Sequence, residues 1–326
     1  MNINEIAELA GVSRATVSRY LNNGYVSSEK KEAIRKIIEE TGYQPSSQAQ
    51  QLRTKRTRLV GVIIPKISSS SIARMVSGIG DELSKSGYQM ILANTNNDIV
   101  EEQKYLSIFR DNQVDGIIFM GTIFTKRHFT LMKECRVPIV ILGQHLPGYP
   151  CVFQDDYHAA MSATQILMEK GKKIAFIGVT ERDEAVGKNR RAGFEAALKS
   201  RKICCPASWL KRGEFNIQSG YERAKELFEE EWEIDTIFCA TDNLAIGAMK
   251  YLKEVGKRIP EDVQLMGMGD TTVGSVVEPY LSTVHFHYES SGVQAASILK
   301  EMMDSKEKKN AEIKMGYYIL QKQTTR

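Results

Sequence analysis

The stretch that decides the fold is residues 4–22, "NEIAELAGVSRATVSRYLN", where Gly11 interrupts a helical pattern that resumes at once as a polar, basic run. Ile3, Ile6, Ala7 and Ala10 recur at intervals of three and four, which predicts a short amphipathic helix that Gly11 ends in the left-handed conformation. Ser13 then caps a second helix, with Val17 and Leu21 facing inward and Arg14, Ala15, Ser18 and Arg19 facing outward. A third helix over residues 29–40 supplies Ala33, Ile34, Ile37 and Ile38 to a three-helix core, and Gly42 ends it. This is a helix-turn-helix pattern. Its second helix suits the major groove of double-stranded DNA, where an arginine bonds guanine through two acceptors and a small alanine touches a thymine methyl.

Charge distribution points the same way. The chain of 326 residues carries 44 Lys and Arg against 40 Asp and Glu. The residues before Leu59 hold ten of the bases and only six acids, all glutamate, so the entire net charge of +4 lies there. A basic head on a neutral body suggests a polyanion partner. With 42% hydrophobic residues the chain can build a sizeable core beyond that head. No run of eighteen apolar residues and no signal-peptide layout appears, so a cytoplasmic protein without a membrane partner is expected. The five cysteines (Cys135, Cys151, Cys204, Cys205, Cys239) have no metal-binding spacing, so neither a metal, a cofactor nor a disulfide framework is expected.

Two motifs together, "INEIAELAGVSRATVSRYLN" and, some twenty residues on, "GYQPSSQAQQLRT", resemble the headpiece and hinge of the bacterial lac/galactose repressor (LacI/GalR) family. The resemblance implies operator contacts from Ser13, Arg14, Ala15, Thr16, Ser18, Arg19 and Asn22, and from Ser46, Gln50 and Leu52 of the hinge. In this family the hinge becomes helical on the operator and its leucine, here Leu52, wedges into the minor groove. An apolar wedge between base pairs kinks the duplex, and paired hinges of a homodimer share the cost. Ordinary core packing of Leu52 is the alternative. The implied organisation is an all-α helix-turn-helix headpiece (1–45), a hinge and linker (46–58) and a body (59–326).

Beyond residue 58 the text changes to short β-branched runs at 59–65, 88–94, 115–121, 137–143, 173–179, 235–241 and 263–269, separated by helical patterns. Such alternation predicts α/β architecture with parallel sheets and right-handed crossovers, and the number of units predicts two lobes around a cleft. Open sheets bind ligands beyond the carboxyl ends of their strands. The family resemblance continues here, as a periplasmic-binding-protein-like core nearest to sucrose-operon-type repressors. It implies a small sugar or sugar-phosphate effector. Ser69 and Ser70 follow the first strand, or simply cap a surface loop. Asp155, in "FQDDYHAA", matches the family's sugar-binding carboxylate, or caps the following helix, expected over 159–168. Arg190, in "AVGKNRRAGF", matches the family arginine, with Arg191 its rival and Lys188 nearby; a surface ion pair is the alternative.

Two positions depart from the family pattern. "ATDNLA" places Thr241 where an asparagine is usual, and "GMGDTT" places Gly269 where the first acidic residue is usual, so either Asp270 moves in or the site holds a ligand that needs room or tolerates negative charge there, such as a phosphorylated sugar with Lys188 and Arg190 nearby. Phe286, in "STVHFHYES", could cover a sugar face or belong to the core. No GxSxG, P-loop or HExxH motif supports an enzyme. The last residues lack leucine heptads, so a final strand near 316–320 is expected and a tetramerising coil is not.

Overall fold

A computed structural model describes residues 1–22, 24–43, 56–111, 114–305 and 310–326, and the chain divides into two compact units, Met1–Arg58 and Leu59–Arg326. In the first unit, α1 (Ile3–Leu9) opens with a reciprocal cap: the Asn2 side chain accepts from the Asn4 and Glu5 amides while Glu5 accepts from the Asn2 amide. Gly11 takes φ +63°, which lets the chain reverse before Ser13 caps α2 (Arg14–Leu21) through the Thr16 amide. The third helix, α3 (Ser28–Thr41), ends at Gly42, also left-handed. Ile6, Ala7, Val17 and Ile34 form the buried core, flanked by Leu21, Ile37 and Ile38.

The second unit holds two six-stranded sheets. The first lobe runs β1 (Leu59–Ile64), α4 (Ser70–Ser84), β2 (Gln89–Asn94), α5 (Ile99–Asp111), β3 (Gly116–Phe119), α6 (Lys126–Glu134), β4 (Ile139–Leu142) and β5 (Cys151–Gln154). The chain then enters the second lobe through α7 (Asp156–Leu167), β6 (Ile174–Gly178), a π-helical turn (Glu184–Asn189), α8 (Arg190–Ser200), β7 (Leu210–Arg212), α9 (Ile217–Glu230), β8 (Thr236–Cys239), α10 (Asp242–Glu254), β9 (Gln264–Met268) and β10 (Ser282–Phe286). It returns with α11 (Tyr288–Ser305) and β11 (Glu312–Met315) and crosses a third time to end in β12 (Tyr317–Leu320). The sheet orders are β11-β5-β4-β3-β1-β2 and β12-β10-β9-β8-β6-β7, parallel throughout except for the β10–β12 pair.

All seven apolar runs read from the sequence are strands. The central ones, β3, β4, β6, β8 and β9, are buried along their whole length, as expected of parallel strands covered on both faces. The final strand also falls where it was expected. Four strands carry no comparable apolar run: β5, β7, β10 and β11. Helix α7 begins at Asp156, three residues earlier than its apolar pattern suggests, because Asp155 caps it. In the first lobe α4 and α11 cross where a Cβ on Gly292 would lie 2.0 Å from the Met75 carbonyl oxygen and one on Gly78 would lie 2.1 Å from that of Glu289, so both positions need glycine.

The three interlobe passages lie close together. The Asp155 amide donates to the Met315 carbonyl at 3.1 Å, tying the first passage to the third, and Ser162 Oγ meets the Tyr317 hydroxyl at 2.9 Å.

Candidate functional site

The first unit presents a polar face on α2. Arg14, Ala15 and Arg19 are exposed, Thr16 and Ser18 half-buried, and Val17 beneath them is fully buried. Ser13 is held by the Thr16 amide and hydroxyl, while the Asn22 side chain donates back to the Ser18 carbonyl. Among the described residues neither Arg14 nor Arg19 has an ion-pair partner, whereas Arg35 and Lys36 on α3 pair with glutamates of their own helix. Both arginines of the second helix are thus without an ion-pair partner among the described residues. Ser46, Gln50 and Leu52 lie outside the described residues.

In the second unit the lobes meet around Arg190. Its Nε donates to Asp156 Oδ1 at 2.7 Å and its Nη1 to the Ala240 carbonyl, while the guanidinium lies 5.1 Å from the centre of the Phe286 ring. Arg190 and Asp156 are each 3% exposed. Sequence places them together through Gly193: a Cβ there would lie 2.2 Å from the Tyr157 carbonyl oxygen, so glycine lets α8 approach α7 closely enough for the pair to form. Burial alone would lower the Arg190 pKa, but the Asp156 carboxylate and the Tyr288 hydroxyl hold it above the ordinary arginine value. A buried pair of this kind fixes geometry, since either charge without the other would be strongly unfavourable.

Tyr288 links this cluster to a direct contact between the lobes. Arg74 of α4 lies 4.8 Å over the Tyr288 ring and donates to the carbonyl of Gly269 in the second lobe. Gly269 has φ +136°, a backbone reason for glycine where an acidic residue is usual. Asp270 does not turn into the vacated position. Its carboxylate meets His285 at 2.8 Å and Lys322 at 3.4 Å, and these two hold it below the usual carboxylate range against a burial effect that would raise it. Thr241 caps α10 through the Leu244 amide, and the adjacent Asp242 is buried, accepting from the Thr271 amide and the Thr283 hydroxyl.

A cavity of about 640 Å³ lies between the lobes on the outer side of the Asp156–Arg190 pair. The first lobe contributes the segments after β3 and β4, the ends of β5 and β11 and the side chains of Phe124, Gln144 and Gln154; the second contributes the start of α7 and the segment entering the π-helical turn. Of the sequence-derived candidates only Asp155 lines it. The Asp155 carboxylate also caps α7 through the His158 amide and is engaged by His158 Nδ1 at 2.8 Å and Lys314 at 3.3 Å, which hold it below its usual range although burial opposes this. Arg190 stands behind Asp156. Phe286 is fully buried beneath the guanidinium, as a core ring. Lys188 points to Glu184 on the surface at 2.8 Å, and Arg191 pairs with Glu181 and Glu195, which leaves the interlobe position to Arg190. Ser69 is half-buried with its hydroxyl 3.0 Å from that of Ser71, and Ser70 is exposed at the first turn of α4.

Several polar residues at this junction had no signature in the sequence. Asp156 follows Asp155 in "FQDDYHAA" with nothing in the sequence to mark it out. Asp183 caps the π-helical turn through the Val186 amide at 2.9 Å and faces Gln144 Nε2 at 3.5 Å across the cleft. Burial pushes its carboxyl up to about 6. Gln154, 5% exposed, has no hydrogen-bond partner for its carboxamide among the described residues.

A helix-turn-helix unit and a two-lobed α/β unit with an interlobe cavity define the class of DNA-binding regulators with a ligand-binding body. The family description "Bacterial regulatory proteins, lacI family" matches residues 2–46, and "Periplasmic binding proteins and sugar binding domain of LacI family" matches residues 57–323. The chain belongs to the lacI family of transcriptional regulators. It is 35% identical over 303 residues to the sucrose operon repressor of Staphylococcus xylosus, covering 93% of each chain, and 31% identical to catabolite control protein A of Priestia megaterium, covering 100% of this chain and 99% of that one. Among solved structures, the complex of the transcriptional regulator CelR with cellobiose superposes with a TM-score of 0.77 at 27% identity over 99% of both chains. The lac repressor dimer bound to operator and an anti-inducer shares the fold, with a TM-score of 0.90 at 21% identity over 100% of this chain and 99% of that one.

Two consequences are measurable. Arg190→Ala leaves the Asp156 carboxylate buried and unpaired, so denaturant unfolding should show a loss of about 3–5 kcal/mol, with partial recovery in Arg190→Ala/Asp156→Asn; a loss below about 1 kcal/mol would mean that the pair is not buried in solution. Asp183 has a folded pKa above its ordinary value of 3.8, so its contribution to stability is fully present below the unfolded value and is lost as pH rises through about 6. Asp183→Asn retains a capping oxygen, and its stability should fall less than that of the wild type between about pH 4 and pH 6.5; parallel profiles there would contradict the assignment.

Proposed function

We propose that the chain is a sequence-specific, operator-binding repressor of carbohydrate-utilisation genes that works as a homodimer in the cytoplasm under the control of a small sugar bound between the lobes. The observation that carries this reading is the pairing, in one chain, of an α2 face whose arginines are unpaired with a two-lobed body that holds a 640 Å³ interlobe cavity. Each subunit places α2 in the major groove of one half-site: Arg14 and Arg19 meet base edges or phosphates, Ala15 offers a methyl contact, and Ser13, Thr16, Ser18 and Asn22 fix the register. The hinge residues Ser46, Gln50 and Leu52 belong to the same DNA surface in this reading.

Within the body Asp155 is the direct effector contact among the residues first singled out. Arg190 and Phe286 support it from behind Asp156, and Ser69, Ser70, Lys188, Thr241 and Asp270 belong to the surrounding lobe edges. The relatives with which the chain aligns are transcriptional regulators, and no catalytic role is assigned to any residue. Among the described residues no helix is long and apolar enough to cross a membrane. The sucrose operon repressor at 35% identity makes sucrose a natural first ligand to try.

Selection of a pseudo-palindromic site from random duplex DNA with the full chain tests the reading. Binding should weaken steeply with salt, and Arg14→Ala should cost about 1–3 kcal/mol at the selected site while leaving non-specific binding nearly intact. A chain restricted to residues 59–326 should lose operator binding. Retained specific binding by that fragment would contradict the proposal.

A further inference from the structure

We propose that Arg74 is a built-in latch that holds the two lobes together when no ligand is bound, and that it thereby sets the operator affinity of the ligand-free chain. The second half of the proposal rests on the DNA-binding reading above; the first stands on the geometry of the cleft.

Both ends of the latch are fixed in advance. In the first lobe, Arg74 lies in α4 next to the crossing where Met75 meets Gly292 and Gly78 meets Glu289 too closely for any side chain on the glycines. Helix α4 is thereby locked on α11, and Arg74 moves with the lobe as a whole. Its guanidinium lies 4.8 Å over the ring of Tyr288, the buried first residue of α11. Nη2 donates to the Gly269 carbonyl, while Nε is buried and has no hydrogen-bond partner among the described residues. The head of this side chain is thus committed to the contact across the cleft.

In the second lobe, Gly269 follows β9 at the start of a loop tied down at three successive amides. The Gly269 amide donates to the Val284 carbonyl at 2.9 Å, that of Asp270 to the Thr283 hydroxyl at 3.2 Å and that of Thr271 to Asp242 at 2.7 Å. Asp242 is itself 1% exposed and accepts from the Thr283 hydroxyl at 2.6 Å. The Gly269 carbonyl is therefore held in one direction, and its φ of +136° is one that residues with a Cβ rarely adopt. Glycine at this position replaces a side-chain carboxylate with a fixed backbone acceptor for Arg74.

A bond between two preorganised partners loses little freedom on forming, and a charged donor strengthens it. The contact between Gln144 and Asp183 is weaker: it spans 3.5 Å, and the same Nε2 already donates at 2.7 Å to the Thr122 carbonyl of its own lobe. A chain closed by Arg74 has its cavity formed beforehand, so a ligand that favours the closed arrangement need not supply the free energy of closure.

The test follows hydrogen exchange and small-angle X-ray scattering of the full chain without ligand. In Arg74→Met the amides of residues 122–124, 183–186 and 269–271 should exchange at least about fivefold faster and the particle should become more extended, while residues 75–83 and 292–299 keep their protection. Arg74→Lys should fall between the two, since it keeps the charge but loses the planar group that stacks on Tyr288. Gly269→Ala should accelerate the same amides, and adding Arg74→Met to it should accelerate them no further. Operator affinity at the selected site should differ at least about fivefold between Arg74→Met and the wild type. Unchanged exchange and scattering in Arg74→Met, loss of protection throughout α4 and α11, additive acceleration in the double variant, or unchanged operator affinity would each overturn the proposal. If Gly269→Ala does not fold, the two Arg74 variants decide by themselves. Failure of the wild-type chain to select any operator would bring down the DNA-binding reading, and the exchange pattern would still decide the latch.

Discussion

The buried ion pair between Arg190 and Asp156 is the constraint around which the second unit is organised. A guanidinium and a carboxylate withdrawn from water are tolerated only in each other's company, so the start of α8 and the start of α7 cannot separate without a large cost. Gly193 makes the approach possible, and the second interlobe passage closes over the pair with Phe286 beneath the guanidinium and the Tyr288 hydroxyl helping to hold its charge. Asp156 also faces the cavity. The position of a ligand there is thus referred to the same charge pair that fixes the second lobe, and through Tyr288 and Arg74 to a contact made by the first.

This arrangement gives a physical route by which a ligand could affect DNA binding. Lobe closure is resisted or favoured by a few polar contacts across the cleft, Arg74 to Gly269 and Gln144 to Asp183 among them. A molecule held by the segments after β3 and β4 on one side and by the start of α7 on the other has different contacts in an open and a closed arrangement. Only such a difference can shift an equilibrium; tight binding to both arrangements alike shifts nothing.

Much of the fold was legible in the sequence because the relevant patterns are local. The three-and-four spacing of Ile3, Ile6, Ala7 and Ala10, the glycine at 11 and the capping serine at 13 define the headpiece within twenty residues, and fully buried parallel strands announce themselves as uninterrupted apolar runs. Of the strands that escaped, β7 and β11 lie at sheet edges and "LKR" buries no side chain, while "CVFQ" and "STVHF" lie one place in from an edge with polar residues that break the apolar run. The site was less legible. Asp155 and Asp156 are adjacent in sequence, and which of them meets Arg190 depends on how α7 leaves β5. Phe286 reads equally as a ligand-facing ring or a core ring until the guanidinium above it is seen. Gln154 has no sequence signature at all; Asp183 acquires its raised carboxyl through burial against a π-helical turn, with the Asp156 carboxylate adding to it.

If ligand and operator act on one equilibrium of the lobes, each must change the affinity of the other by the same factor. The most direct measurement is therefore a closed cycle on the full chain: operator affinity with and without saturating sugar, and sugar affinity with and without saturating operator, at one salt concentration. The account predicts that the two ratios agree and differ from one. A sugar that binds the free and the operator-bound protein equally well would contradict it.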